Sequence, residues 1–484
     1  MEQLTGLDAS FLYMETPSLH MHVSMAAVFD PSTVPGGYSF EKMRALVGSR
    51  LAVAPVFRRR LVEVPLRLGH PYWTDDGDLD LDYHFRRAAV PSPGGPEELA
   101  RFVGDVSGCQ LDRRRPLWEM HVVEGLAHGR VAVVAKFHHS TIDGVSAAEL
   151  LTQLFDLVPD PPAPVLAESA PGSETRPPEA IPSDLSLMAR ALATNLAAPV
   201  DLARLVWRTG RSVLKVGRVR RSPSANGALP LTTPRTSLNA AITPHRKVAF
   251  ASVSLDDVKE LKRALDVTVN DVILAICTGA LRSYLEGRGE LPDHPLVATV
   301  PVSMHPSLAD RRGANKLSAM FVSLPCEVAD PKERMEIIRA GSMGAKSEHN
   351  ALGADVLINW AEHAAPNVFS PAAHAYTRLR LAEHHRPIHS LLISNVAGPD
   401  FPLYLGGAEL VAAFPLGPVM DGAGLNVTVM SYRGVLNWGL IACAETVPDL
   451  DSVAASVIES LDELRAAAGL TPATPVDVWM PPTG

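Results

Sequence analysis

The sequence predicts an α/β protein built as two comparable halves. Three observations carry this expectation. Strand-like runs alternate with amphipathic helical patterns on both sides of the chain's middle. A stretch rich in Pro, Ser, Ala and Glu, without periodicity, separates the two sides. The 484 residues, 46% of them hydrophobic, suffice for a large core divided among two or three domains.

Taken in order, residues 1–160 form the first half. RVAVVAKF at 130–137 reads as a strand, while PEELARFVGDVSGC at 96–109 and SAAELLTQLFDLV at 146–158 read as helices. Between Pro159 and Pro182 the text is that of a solvated linker. Residues 184–221 look helical and basic, with Arg190, Arg204, Arg208, Arg211, Lys215, Arg218, Arg220 and Arg221 beside Leu, Val and Trp207. This segment suits either an anionic lipid surface or a packed connector with a solvated basic face. Residues 161–245 are thus linker and connector, and 246–475 the second half. It opens with a strand near Arg246, and Ser254 followed by Asp257 has the spacing of a capping box before LDDVKELKRAL. A second helix is expected from Asn270. Strand patterns follow at 296–302, 320–328, 391–396, 425–432 and 435–442, and a closing helix from Leu450 to Ala468. Two such halves place a substrate pocket at their interface.

Composition narrows the function. A net charge of −9 gives no global attraction to nucleic acid. The four cysteines, Cys109, Cys277, Cys326 and Cys443, are widely spaced without a CxxC pair, which suggests neither a disulfide framework nor a zinc site. The N-terminal residues lack a basic region followed by an apolar one, and no apolar run approaches the roughly 20 residues that cross a bilayer. The expectation is a cytoplasmic protein whose membrane contact, if any, is peripheral.

The sharpest local signal is Lys136-Phe137-His138-His139-Ser140-Thr141-Ile142-Asp143-Gly144, an apolar strand ending in two histidines before a turn. An imidazole mounted there can take a proton from a hydroxyl as that oxygen attacks a carbonyl. Asp143 suits fixing the loop or pairing with a cation. His138, on the opposite face of the strand end, suits packing or positioning.

This segment resembles the HHxxxDG motif of the bacterial wax ester synthase/acyl-CoA:diacylglycerol acyltransferase family. Further blocks resemble that family in order along nearly the whole chain: Leu7–Leu12 (LDASFL), Pro116–Glu119 (PLWE), Asn270-Asp271, Pro301–Ser303, Ser394–Pro399 (SNVAGP), and Gly424–Thr428 with Ser431-Tyr432. His305, Ala314 and Ala397 depart from it. The resemblance implies two chloramphenicol-acetyltransferase-like (CoA-dependent acyltransferase) domains with an interdomain tunnel, and His139 as the general base. Acyl-CoA is then a substrate, and no cofactor or metal is called for.

The acceptor is diacylglycerol, giving triacylglycerol, or a long-chain alcohol, giving a wax ester; a hydroxyl of a polyketide-derived lipid and a non-catalytic lipid-inclusion protein are the rivals. Peripheral association with membranes or lipid inclusions goes with such substrates. The oxyanion requires a polar donor opposite the base, for which Asn270, Ser394, Asn395, Asn426 and Ser431 are candidates. Asn270 equally suits a helix N-cap before DVILAICTGAL. Trp118 suits either the tunnel wall or plain core. The apolar stretch 351–379 suits an acyl or acceptor pocket, or core, and the histidine-rich Glu383–His389 has no regular metal-ligand face.

Overall fold

A computed structural model describes residues 1–77, 79–141, 154–161, 181–192, 207, 228–303, 317–352 and 366–480. Its strands are β1 (Glu2–Gln3), β2 (His22–Asp30), β3 (Arg59–Val62), β4 (Tyr72–Asp75), β5 (Phe85–Ala89), β6 (Trp118–Glu124), β7 (Val131–His138), β8 (Arg246–Ser254), β9 (Leu296–Ser303), β10 (Leu317–Leu324), β11 (Leu391–Ala397), β12 (Tyr404–Leu405), β13 (Ala408–Leu416), β14 (Leu425–Tyr432) and β15 (Val435–Cys443). They form two six-stranded sheets, ordered β12-β13-β2-β7-β6-β5 and β10-β9-β11-β14-β15-β8, and a small sheet, β1-β4-β3.

The two halves do not close on themselves as the division at residue 246 expects. β12 and β13 belong to the second half by sequence, yet β13 pairs antiparallel with β2 from Glu409↔Asp30 to Leu416↔Ser24. An edge strand exposes unpaired N–H and C=O groups, and this crossing strand covers that of β2. The first sheet is therefore completed by the second half.

Alternation along the strands gives each sheet face a destination. Val131 and Val133 of β7 enter a core with Met43, Val47 and Phe57, whereas Ala132 and Val134 join Phe11, Leu19, Met21, Ile242, Val248, Phe414 and Ile441. That second cluster draws on both halves and forms the seam between them. In the second sheet Leu391, Ile393, Leu425, Val427 and Val429 face a separate core under the helix Val269–Gly287.

Several boundaries differ from the sequence reading. The helix expected from Asn270 starts at Val269, capped by Thr268: its hydroxyl accepts from Asp271 N, and the Asp271 carboxylate accepts the Thr268 N–H at 3.0 Å. The threonine wins because a carboxylate three residues on closes the box. At Ser254 only half the expected box forms, because the Asp257 carboxylate turns away to Arg465 and the Thr474 N–H. The run 320–328 leaves the sheet at Leu324, ahead of Pro325. The helix expected to reach residue 158 has ended by Phe155, and Asp156 instead pairs with Tyr404. Most of the linker and the basic connector, with Arg204, Arg208, Arg211 and Lys215, lies outside the described residues, as do His305 and Ala314.

No single helix among the described residues is long and apolar enough to cross a bilayer. The bent pair Leu255–Leu265 and Val269–Gly287, which has the length and composition, packs inside the second core.

Candidate active site

β7 ends at His138, directly opposite His22 at the start of β2. Four histidines gather at this corner: His20, His22 and His138 are buried, and His139 is half-buried. Its main chain is fixed by a hydrogen bond from His139 N to Met21 O at 2.9 Å. Met21 is held in the left-handed region at φ 45°, a conformation that carries strain in a residue with a Cβ and turns its carbonyl toward the histidine. The Phe11 ring lies against that of His139, with centroids 4.2 Å apart.

His138 is a support. Its Nδ1 accepts the Ser140 amide at 3.1 Å and lies 2.7 Å from the Ser140 hydroxyl. An Nδ1 that accepts an amide carries no hydrogen, so the proton of the neutral ring sits on Nε2, 3.9 Å from the Glu15 carboxylate. Complete burial holds the His138 pKa well below its usual value, with Arg113 and His139 adding to the effect. Burial does the same to His22, assisted by the charge of Lys136. Glu15 is 5% exposed, its pKa raised by burial against the pull of Arg113. Arg113 donates to it through Nε at 2.8 Å and Nη2 at 2.5 Å.

Lys136, with no exposed surface, braces the strand below. It pairs with Glu119 at 2.6 Å and donates to Val106 O and Cys109 O at 2.8 Å each, tying β7 to the end of the helix Pro96–Ser107. Glu15, Met21, His22 and Arg113 escape the sequence reading, and Lys136 enters it only as the first residue of the histidine segment, without a role. The one signal is position: Glu15 lies three residues after LDASFL and Arg113 three residues before PLWE.

Beside this corner is a cavity of about 360 Å³. Met14 and Leu19 form its wall from the first half; Phe369, Tyr376, His389 and Met420 are among its residues from the second. Met14 is one helical turn from Phe11, and Leu19 shares a cluster with Phe11 and Met21, so the cavity abuts the support of His139. The volume is in the range of small-molecule sites, roughly 300–1,000 Å³. Phe369, Ala372, Ala373 and Tyr376 come from the stretch anticipated as a pocket; its residues 353–365 lie outside the described ones.

The other candidates scatter. Trp118 is not a tunnel residue: it is 1% exposed, donates through Nε1 to Phe57 O at 2.8 Å and stacks on His84. Asn426 lies on the face of β14 opposite Val427 and Val429, toward the first half. Its amide is already engaged, donating to Pro418 O at 3.2 Å and accepting from the Thr428 hydroxyl at 2.8 Å. A Cβ at Gly417 would come within 2.5 Å of that amide and force it to shift. Ser394 shares this face, its strand neighbour being Thr428. Asn395 and Ser431 alternate to the other face, and Ser431 Oγ accepts the Gly398 N–H at 3.2 Å. Asn270 sits in the first turn of its helix and contributes nothing to the cavity wall. Asp143 lies outside the described residues. Among the described residues no group of three or more His, Cys, Asp or Glu side chains could hold a metal ion.

The corner thus presents one half-buried imidazole on a rigid mount, beside a largely apolar cavity, with neutral imidazoles and a paired carboxylate behind it. His139 itself is not part of the cavity wall, which meets the histidine's support through Met14 and Leu19; a base so mounted can take a proton from an alcohol whose hydroxyl end extends beyond the cavity to it.

Comparison with known proteins shows the family. Residues 4–273 match the model of the wax ester synthase/diacylglycerol acyltransferase catalytic domain, and residues 313–465 that of the C-terminal domain of the same proteins. A putative diacylglycerol O-acyltransferase of Mycobacterium tuberculosis is 40% identical over 465 residues, covering 96% of this chain and 90% of the relative. A second from that organism, a probable diacylglycerol O-acyltransferase, is 36% identical over 97% of this chain and 100% of its own. The wax ester synthase/diacylglycerol acyltransferase structure from Marinobacter aquaeolei superposes with a TM-score of 0.67 at 30% identity, over 97% of this chain and 100% of that one. The first condensation domain of the CDA synthetase shares the fold, with a TM-score of 0.54 at 14% identity over 98% and 97% of the two chains.

Proposed function

The chain belongs to the wax ester synthase/diacylglycerol acyltransferase family, and from that premise we propose that it transfers a long-chain acyl group from acyl-CoA to diacylglycerol, forming triacylglycerol. It is an acyltransferase with two chloramphenicol-acetyltransferase-like domains. The observation that carries the catalytic reading is His139, the one half-buried histidine of four, anchored through its main chain beside an apolar cavity.

In this reading His139 takes the proton of the acceptor hydroxyl as its oxygen attacks the thioester carbonyl. The tetrahedral oxyanion collapses, the carbon–sulfur bond breaks, and the thiolate leaves with the proton returned by the imidazolium. The products are the ester and free CoA, and the transfer calls for neither an acyl-enzyme nor a cofactor. Ser394, on the face of β11 toward the first half, is our candidate for the oxyanion donor, since the Asn426 amide is engaged with Pro418; like Asn270, it is not part of the cavity wall.

A cytoplasmic site at a lipid surface is part of the proposal. Support comes from the helix Pro366–Arg378 and the residue after it, where Val368, Ala372, Ala375 and Leu379 form an exposed apolar stripe beside the cavity, near Arg378 and Arg386. Cations near an anionic bilayer contribute about 1 kcal/mol each, so contact weakens with salt.

The test supplies the purified chain with palmitoyl-CoA and either a dispersed diacylglycerol or hexadecanol, following CoA thiol release and lipid products. Triacylglycerol formation is expected, with sedimentation on anionic vesicles that falls with salt. Wax ester alone would move the acceptor to long-chain alcohols, and lipid binding without CoA release would make the chain a non-catalytic lipid-inclusion protein.

A further inference from the structure

Most of the polar groups lining the cavity are committed to one another. Asp421 accepts from the Thr377 hydroxyl at 2.6 Å and from Ile242 N at 2.9 Å. Thr16 Oγ1 accepts from Leu19 N at 3.1 Å. His385 is engaged at both nitrogens, Nε2 with the Tyr376 hydroxyl at 2.6 Å and Nδ1 with Arg386 O at 2.7 Å.

His389 is different. Both of its ring nitrogens are buried and neither has a hydrogen-bond partner among the described residues. Its main chain is nevertheless fixed: the buried Asn239 amide donates to His389 O at 3.2 Å and to Gly422 O at 2.9 Å, clamping two parts of the cavity wall together. Ser390, next in the chain, donates its N–H to Val297 O at 2.7 Å. An imidazole with both nitrogens buried and unpartnered carries a desolvation cost; His22 shares that condition, but His389 alone of the two lines the cavity, where a ligand can offset the cost.

The ligand's chemistry follows from a count of oxygens. A long-chain alcohol has one polar group, the hydroxyl that must meet His139. A diacylglycerol has two ester groups besides its reacting hydroxyl. Of the two acceptors, only the glyceride offers a second polar group to meet His389. Resting on the acyltransferase reading above, we propose that His389 is a specificity residue that hydrogen-bonds an ester group of the acceptor and so selects diacylglycerol over a long-chain alcohol.

The test compares wild type with His389→Phe, which keeps the ring and removes both nitrogens, and His389→Asn, which keeps a donor and an acceptor. For each, kcat/KM is measured for dioleoylglycerol and for hexadecanol with palmitoyl-CoA, together with Tm. The expected result is a loss of about tenfold for dioleoylglycerol in His389→Phe, the size of one hydrogen bond. That loss appears in KM, is partly restored in His389→Asn, and leaves hexadecanol within about threefold. Tm of His389→Phe should equal or exceed that of wild type, because an apolar ring replaces an unpartnered polar one. An unchanged acceptor ratio overturns the assignment, as does a lowered Tm with both acceptors falling together, or a raised KM for palmitoyl-CoA in place of the acceptor. Wild type that transfers to hexadecanol but never to dioleoylglycerol overturns this proposal and the proposed function at once, whereas an unchanged ratio in a chain that does make triacylglycerol overturns this proposal alone.

Discussion

The rings of Phe11 and His139 lie 4.2 Å apart between centroids, tilted by 31°. Phe11 comes from the helix Gly6–Met14, started by a Thr5 cap whose hydroxyl accepts from Asp8 N. The contact therefore joins the chain's first helix to the end of β7 and limits how the imidazole can turn. Phe11→Leu keeps an apolar side chain in the seam and removes the flat surface. Turnover should fall by about tenfold, since small misplacements of a base carry large kinetic penalties, while Tm moves little. Steady-state kinetics with a thermal melt checks this, and wild-type kcat in the folded variant would show that the ring contact does not orient His139.

His138→Ala should cost stability first. It leaves the Ser140 amide and hydroxyl without their buried acceptor, a penalty of about 1–3 kcal/mol. His138→Asn offers an amide oxygen near the position of Nδ1 and should recover most of the loss in both Tm and turnover. Equal kinetic loss in both variants, with Tm unchanged, would instead point to chemistry at His138.

Lys136→Met should unfold the corner more than any neighbouring substitution, because the buried Glu119 carboxylate loses its lysine and keeps only His121, at 3.7 Å. Breaking such a pair typically costs about 3–5 kcal/mol. Adding Glu119→Gln to Lys136→Met should restore a large part of that stability. Denaturant titration of the two variants decides it, and simple additivity would contradict the pairing.

Stability should fall as pH drops below about 6.5, where unfolded imidazoles begin to take up protons. His22 and His138 are held well below that value by burial, and burial pushes His389 down to about 4, so the folded state cannot follow. Each contributes up to about 1.4 kcal/mol per pH unit within its window. Glu119 adds to the loss at lower pH: burial pushes it up, but His121 and Lys136 hold it at about 2, below an unfolded glutamate. Glu15, raised by burial, acts in the opposite direction near pH 4.5. Thermal melts between pH 7 and 5 should show a declining Tm, and a flat profile would contradict the buried neutral state of these rings.

Local patterns transferred well from sequence to structure where burial on a sheet face writes them. The run 425–432 is the strand β14 residue for residue, and the strand ending in the two histidines is β7. Where two residue types compete, the signal was present but subtler: Thr268 and Asn270 both suit a cap, and only Thr268 has an acid three residues on. Trp118 shows the limit of motif reading, since its indole N–H serves Phe57 O in the core. The crossing of β12 and β13 into the first sheet leaves no local trace, because pairing with β2 depends on partners nearly 400 positions away in sequence. The cavity is equally invisible, being assembled from residues near 14–19, 369–377, 385–389 and 420–422.

His139 is the residue on which catalysis depends most directly, and the decisive measurement is the turnover of His139→Ala with palmitoyl-CoA and diacylglycerol, alongside the dissociation constant for the acyl-CoA. Loss of a general base acts on the transition state, so kcat should fall by roughly 10²–10⁴-fold while acyl-CoA binding stays within about twofold of wild type. A folded His139→Ala chain that retains wild-type turnover would contradict the account.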